Sequence, residues 1–474
     1  MTASIGKIGL TGCIANLSKT AISSGLLLFP NIFRECGLLV ALTYVIIVSA
    51  CSHYAYMFLA YASLYTKAAD FTQLTTRLFL PSSADSNKTT RQNAQSSDSK
   101  SASTKAVSLI LNSFTPLIAF IKIAVASKAI AASLTVIIEA CCNAAGGGYF
   151  VSGLNWYKRL EVAGKVGALI LAVTLIFPLS LIKQMSKLAK VSFAGVAALL
   201  YIMLVVVGDS IKTMSSGQIR ALTLGNADIE CYFAACTMIL CFAGHPSIPN
   251  IVSSMHDCSK RSLNLLSAIT VSICAVLYGV TGLMGYLNGR LTPIPSPIVA
   301  VQASHPGAIW YHVGGAIISI VLCVTCPLLL FPARTALEKM FGPGLGGLTG
   351  LAAKQRLSIF NVLILLVSVA AGLNISTISQ FTGFFGAIVG SGLVLILPSL
   401  CVLKLEAMYG GSGDKQSKEE SVSLVKDKDS SGEVGVFRLS MVEKFFAYFS
   451  LFIGFAFLAS SIPAFMILLH YPRK

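Results

Sequence analysis

Long apolar runs recur along nearly the whole chain, and no other feature of the sequence narrows its fold as much. A helix needs about 20 apolar residues to cross the hydrocarbon core of a bilayer. Eleven such spans are expected, at 8–33, 37–65, 106–139, 162–183, 188–211, 230–254, 263–288, 308–333, 357–376, 379–403 and 441–469. Of the 474 residues, 55% are hydrophobic and only 11% charged, a balance foreign to a soluble globular domain. The chain therefore reads as an all-α integral membrane protein that crosses the lipid bilayer many times.

The net charge of +16 is spread between the apolar runs and is not gathered on one domain, so nucleic acid is excluded as a partner. The charge serves topology instead. Lys7, the basic residues of 67–105, Lys183, Lys187, Lys190, Lys260, Arg261, and those between spans eight and nine and between ten and eleven fall on one side. The opposite side holds only Arg34, Lys158, Arg159, Lys212, Arg220, Arg290, Arg473 and Lys474. Basic loops are retained in the cytoplasm, which puts the N-terminus inside. Two polar inserts, 67–105 and 404–440, are too rich in Ser, Asn, Gln, Lys and Asp to bury a core and are expected to be disordered cytoplasmic loops. No signal peptide is expected. The 13 cysteines show no metal-binding spacing, so no metal site and no cofactor is expected, although a disulfide among Cys141, Cys142 and Cys231 stays open.

Two spans carry breaks at mid-depth. The first reads "NLSKTAISSGLLLFP", with Ser23, Ser24 and Gly25 followed by Pro30; the sixth reads "CFAGHPSIPN", with Gly244, His245, Pro246 and Pro249. Proline removes a helical hydrogen bond and clashes with the preceding turn. Lipid cannot satisfy the freed backbone groups, so such breaks belong inside protein or beside a polar cavity. Paired interruptions at matching places of two halves point to a substrate site. The blander alternative, close packing of small residues and ordinary proline kinks, accounts for either break singly better than for the pair.

The first-span motif "NLSKTAISSGLLLFPNIFRECGL", the sixth-span "FAGHPSIPNIVSSMHD" and the eighth-span "CVTCPLLLFPARTALEK" together resemble the amino acid/auxin permease (AAAP) family of the APC superfamily. Ser23 in place of a usual glycine, Asn31 near the family's alanine and the insert at 67–105 depart from its pattern. The resemblance implies a LeuT-like fold: a 5+5 inverted repeat with broken helices 1 and 6, plus an eleventh helix. The repeats would be 1–211 and 230–403, with 441–474 as the last helix and a short outer tail. It implies transport of amino acids by alternating access. The backbone at Ser23, Ser24 and Gly25 would receive the substrate carboxylate, helped by a helix N-terminus. Carbonyls of Phe242, Ala243 and Gly244 would receive its ammonium, Phe242 would be a lid or packing, and His245 would titrate or fix the unwound turn by a hydrogen bond.

In the resemblance Lys19 falls where sodium-coupled members carry an ion-holding asparagine, and Thr325 matches a hydroxyl ligand of that ion. An ammonium there disfavours sodium and leaves proton coupling or facilitated movement. Snorkelling of Lys19 to the interface is the alternative. Lys122 and Lys128, six apart on the third span, lie about 120° apart around the axis, and sequence does not choose which faces a cavity. Glu139 and Asp209 read as solvated edge charges. A neutral amino acid is the expected substrate because neither broken helix carries an acidic side chain at mid-depth. The membrane is the plasma or the vacuolar/lysosomal one. A sensor signalling through its cytoplasmic loops is the competing reading; no constellation of an enzyme is present.

Overall fold

The computed structural model describes residues 8–79, 94–144, 154–180, 185–289, 309–341, 353–375, 377–410 and 437–470. Among these, every expected span is helical, and the β structure consists of two isolated bridges, Ile8 with Met255 and Ile219 with Asn288. Among the described residues ten helices are long and apolar enough to cross a membrane. The expected first span is not one of these ten, and it is split into α1 (Leu10–Ile22) and α2 (Phe29–Cys36) by a tight turn at Gly25–Leu27.

The chain continues through α3 (Leu38–Thr66), α4 (Phe71–Phe79) and α5 (Ala94–Ala144). Next, α6 (Leu154–Leu171) runs through a wide π-type turn at Ala172–Ile176 into α7 (Phe177–Ser180), followed by α8 (Met185–Ser215). The sixth span is split, as its prolines require, into α9 (Ile229–Cys241) and α10 (Ile248–Ser254) around a turn at His245–Ser247. Beyond it lie α11 (Lys260–Leu287), α12 (Ile309–Phe341), α13 (Ala353–Asn374) and α14 (Ile378–Phe385). A π-type stretch at Gly386–Ile396 leads into α15 (Leu397–Tyr409), and α16 (Met441–His470) ends the described chain.

The broken spans are central. Of the most apolar window of the sixth span, 94% is buried inside the protein, against 22% for Arg159–Ser180 and for Met441–Ala464, which are peripheral. α1 packs on α8 and α11, α9 on α14 and the π-type stretch, and α5 on α12 and α13. Large apolar side chains such as Ile46, Val276 and Phe452 point outward, as a lipid-facing surface requires.

Two expectations are corrected. The insert 67–105 is not a structureless loop throughout, because Phe71–Phe79 forms α4. Its Phe71, Leu74 and Leu78 recur at helical spacing and are buried, and Asp70 before it accepts from Lys339 Nζ of α12 at 2.7 Å. Asp209 is not a solvated edge charge: it is buried and accepts from Asn288 Nδ2 at 2.8 Å. Residues 411–436, the centre of the second polar insert, and 471–474 lie outside the described residues. All 13 cysteines are free thiols in this structure.

Candidate functional site

The backbone of the first break turns at Ser23, whose φ of 39° lies in the left-handed region that side chains disfavour. Ser23 N–H closes the last turn of α1 on Lys19 O at 3.0 Å, and the chain restarts with Leu28 N–H on Gly25 O at 2.9 Å. In the second break Pro246 and Pro249 supply no N–H, and only short turn bonds remain, such as Ser247 N–H to Gly244 O at 3.1 Å. The fold brings these two turns into contact. A side chain at Gly25 would meet Tyr278 Oη at 2.8 Å and Cys241 Cβ at 3.0 Å, and one at Gly244 would meet Tyr56 Oη at 3.0 Å. A side chain at Gly25 would thus force a neighbour to shift, and the space at Gly244 is tight.

The carbonyls released by the breaks do not stand free. Lys122 Nζ, on α5, donates to Thr20 O at 3.1 Å, Ala21 O at 3.0 Å and Ala243 O at 2.8 Å. Tyr278 Oη, on α11, lies 2.9 Å from Cys241 O and 3.3 Å from both Ala21 O and Ile22 O. Tyr56 Oη, on α3, donates to Phe242 O at 2.6 Å. Ser24 Oγ donates back to Lys122 O at 3.3 Å. Three side chains from three different helices thus satisfy the opened backbone, where an unsatisfied buried carbonyl would cost about 1–3 kcal/mol each.

This arrangement revises the acceptor assignment made from sequence. The carbonyls of Phe242 and Ala243 are already engaged by Tyr56 and Lys122, and Gly244 O by Ser247 N–H. A carbonyl has two lone pairs: both are engaged at Phe242 O, which also accepts from Gly244 N–H at 2.9 Å, whereas Ala243 O and Gly244 O each retain one further acceptor position. Phe242 packs edge-to-face on Tyr278 with ring centroids 5.1 Å apart, and Phe29 stacks flat on the same ring at 4.1 Å. His245 is wholly buried against Tyr56, ring centroids 4.4 Å apart, and neither ring nitrogen has a partner among the described residues. The hydrogen bond expected to fix its turn is absent there. Ser23 Oγ and both amide atoms of Asn16 are likewise buried and unpartnered among the described residues.

Lys19 does not snorkel. It is 1% exposed, and its side chain lies so closely over Gly195 of α8 that a Cβ there would collide with Nζ. The Cys326 thiol of α12 is its electrostatic neighbour. Thr325 is buried beside that thiol in sequence, but its Oγ1 donates to Val321 O of its own helix at 2.7 Å. The structure settles the choice between the two lysines of the third span: Lys122 faces the breaks, and Lys128 is only partly buried, its charge neighbours being Lys165 and Glu161 of α6. Sequence reasoning missed Tyr56, Tyr278 and Gly195. A buried phenol signals that a partner is needed, yet not which carbonyl supplies it.

Comparison with known proteins agrees with this architecture. Residues 6–408 match the family model described as transmembrane amino acid transporter protein. The zebrafish (Danio rerio) sodium-coupled neutral amino acid symporter 2 is 23% identical over 274 residues, covering 53% of this chain and 52% of that one. The Arabidopsis thaliana amino acid transporter AVT1J is 25% identical over 268 residues, covering 54% of this chain and 58% of that one. The aligned stretch thus spans about half the length of these relatives. The crystal structure of MhsT in complex with L-phenylalanine superposes with a TM-score of 0.57 at 13% identity, over 96% of this chain and 98% of that one, and so shares the LeuT-type fold. The chain belongs to the transmembrane amino acid transporter family, whose members are membrane transporters and not enzymes.

Proposed function

We propose that this protein carries neutral amino acids across a membrane by alternating access, with the substrate held between the two breaks and with no requirement for sodium. The observation that carries the reading is the meeting of the two opened turns at the centre of the bundle, beside buried polar atoms of Ser23 and His245 that have no partner among the described residues. A substrate carboxylate would take the N–H groups of the turn at Ser24 and Gly25 and the Ser23 hydroxyl. Its ammonium would use the second lone pair of Gly244 O, whose first is taken by Ser247 N–H. No acidic side chain lies on either break to neutralise a second cationic group, which favours neutral side chains.

Sodium independence rests on two buried lysines. Lys19 and Lys122 put fixed positive charge near the breaks, where a mobile cation would be repelled. The curated relatives include sodium-coupled proteins, so this chain would depart from them in its coupling. Its N-terminus is assigned to the cytoplasm on the distribution of Lys and Arg.

Counterflow in proteoliposomes tests the reading. Vesicles preloaded with neutral amino acids should take up labelled ones of the same class, and replacing sodium by choline should leave the rate unchanged. Exchange confined to arginine or polyamines would overturn the neutral preference. A tenfold loss in choline would overturn sodium independence, and a pH gradient imposed on the same vesicles separates proton coupling from facilitated movement.

A further inference from the structure

We propose that the carbonyls of Thr20, Ala21 and Ala243 form a monovalent-cation site joining the two broken helices, and that the Lys122 ammonium is its tethered occupant. Stoichiometry supports this first. An ammonium has three N–H donors and no acceptor, and Lys122 Nζ meets three carbonyl oxygens at 3.1, 3.0 and 2.8 Å. Its environment is also that of an ion. Two of the oxygens belong to the last turn of α1, where the helix dipole leaves partial negative charge, and the third belongs to the opened turn after α9. Rings of backbone carbonyls replace the hydration shell of monovalent cations in other membrane proteins. The acceptors are all main chain, so the site survives any side-chain change at those three positions.

Its consequence is mechanical. One side chain on α5 is bonded to both broken helices at once, so their relative position depends on a cation that cannot diffuse away. A transporter built on a mobile cation would couple substrate movement to ion movement through such a site; a tethered ammonium fills it permanently. The proposal deepens the sodium-independent reading and rests on it only for this consequence in transport.

Thermal unfolding of the full-length protein in detergent tests it, with choline, sodium, ammonium and methylammonium chlorides at equal ionic strength. Wild type should unfold at the same temperature in all four. Lys122→Ala, which empties the site but leaves its carbonyls, should unfold several degrees lower in choline. Sodium, ammonium or methylammonium should then recover at least half of that loss, saturably. Lys122→Met keeps the length and apolar bulk of the side chain without the charge, and should be destabilised with no cation response. A wild-type unfolding temperature for Lys122→Met, or a Lys122→Ala that responds to no cation, overturns the proposal. If Lys122→Ala yields no folded protein in choline, recovery of folded protein with ammonium present throughout purification is the readout, and none overturns it. These outcomes are independent of amino acid counterflow by the wild type, so either reading can fail alone.

Discussion

At the residue scale, what holds the breaks open is a small set of side chains that donate into freed carbonyls. Tyr278 shows the logic best, because one hydroxyl lies within 3.3 Å of three carbonyls from both broken helices while its ring is stacked by Phe29 and met edge-on by Phe242. Tyr278→Phe keeps the rings and removes only the donor. It should cost about 1–3 kcal/mol, the penalty for leaving a buried acceptor unsatisfied, read from chemical denaturation in mixed micelles. Neutral amino acid counterflow should fall along with it, and an unchanged denaturation midpoint would show that the hydroxyl is dispensable. The breaks were legible in the sequence because glycine and proline weaken a helix locally, and "SSG" with Pro30 and "GHP" with Pro249 combine several such residues within a few positions. The caps were not legible. Tyr56, Lys122 and Tyr278 lie on three other helices, and only the packed bundle decides that their tips meet these carbonyls. Asp209 was misread for the same reason, since its partner Asn288 is 79 positions away.

At the element scale, helix ends are set by short-range chemistry that a sequence does display. Ser259 is the N-cap of α11 and its side chain accepts from Ser262 N–H at 3.2 Å. Asp257, in the short connection from α10, accepts from Ser262 Oγ at 2.5 Å, from Ser259 N–H at 3.0 Å and from Ser259 Oγ at 3.1 Å. These bonds, the Ser262 hydroxyl first, hold its carboxyl below the ordinary value of 3.8. A carboxyl depressed in the folded state stabilises fully above its unfolded value and loses that contribution as the pH falls through its folded one. The stability difference between wild type and Asp257→Asn should therefore be constant from neutral pH down to about 3.8 and vanish below it. Denaturation midpoints measured across that range check it, and a difference that grows on acidification would contradict the sign. The amphipathic α4 was equally visible at this scale, in the spacing of Phe71, Leu74 and Leu78, but the polar composition of its surroundings obscured it.

At the scale of the whole molecule, backbone bonds tie the broken spans to their neighbours at both ends. On one side, residues before α1 pair with the end of α10: Ile8 N–H donates to Ser254 O at 2.8 Å and His256 N–H to Ile8 O at 3.0 Å. On the other, the connection between α8 and α9 covers the corner between α2 and α3, with Leu38 N–H on Thr223 O at 2.9 Å and Asn226 N–H on Cys36 O at 2.9 Å. Alternating access requires one of these closures to yield while the other holds. The first is the lighter of the two: among the described residues it has two backbone bonds, both at Ile8, whereas the second adds Leu39 N–H on Leu224 O at 3.0 Å to the two above. Ile8→Pro removes its N–H donor, and losing one such bond is worth about 1 kcal/mol, so the open population should rise about fivefold, with tenfold equal to 1.4 kcal/mol. Cys13, fully buried one turn into α1, is the natural reporter. Its maleimide labelling, followed by peptide mass mapping, should accelerate by that factor in Ile8→Pro, while labelling of buried Cys36 near the opposite closure stays at the wild-type rate or falls. Equal acceleration at both cysteines would mean that the substitution loosens the whole bundle, and that the Ile8 bridge is not a gate.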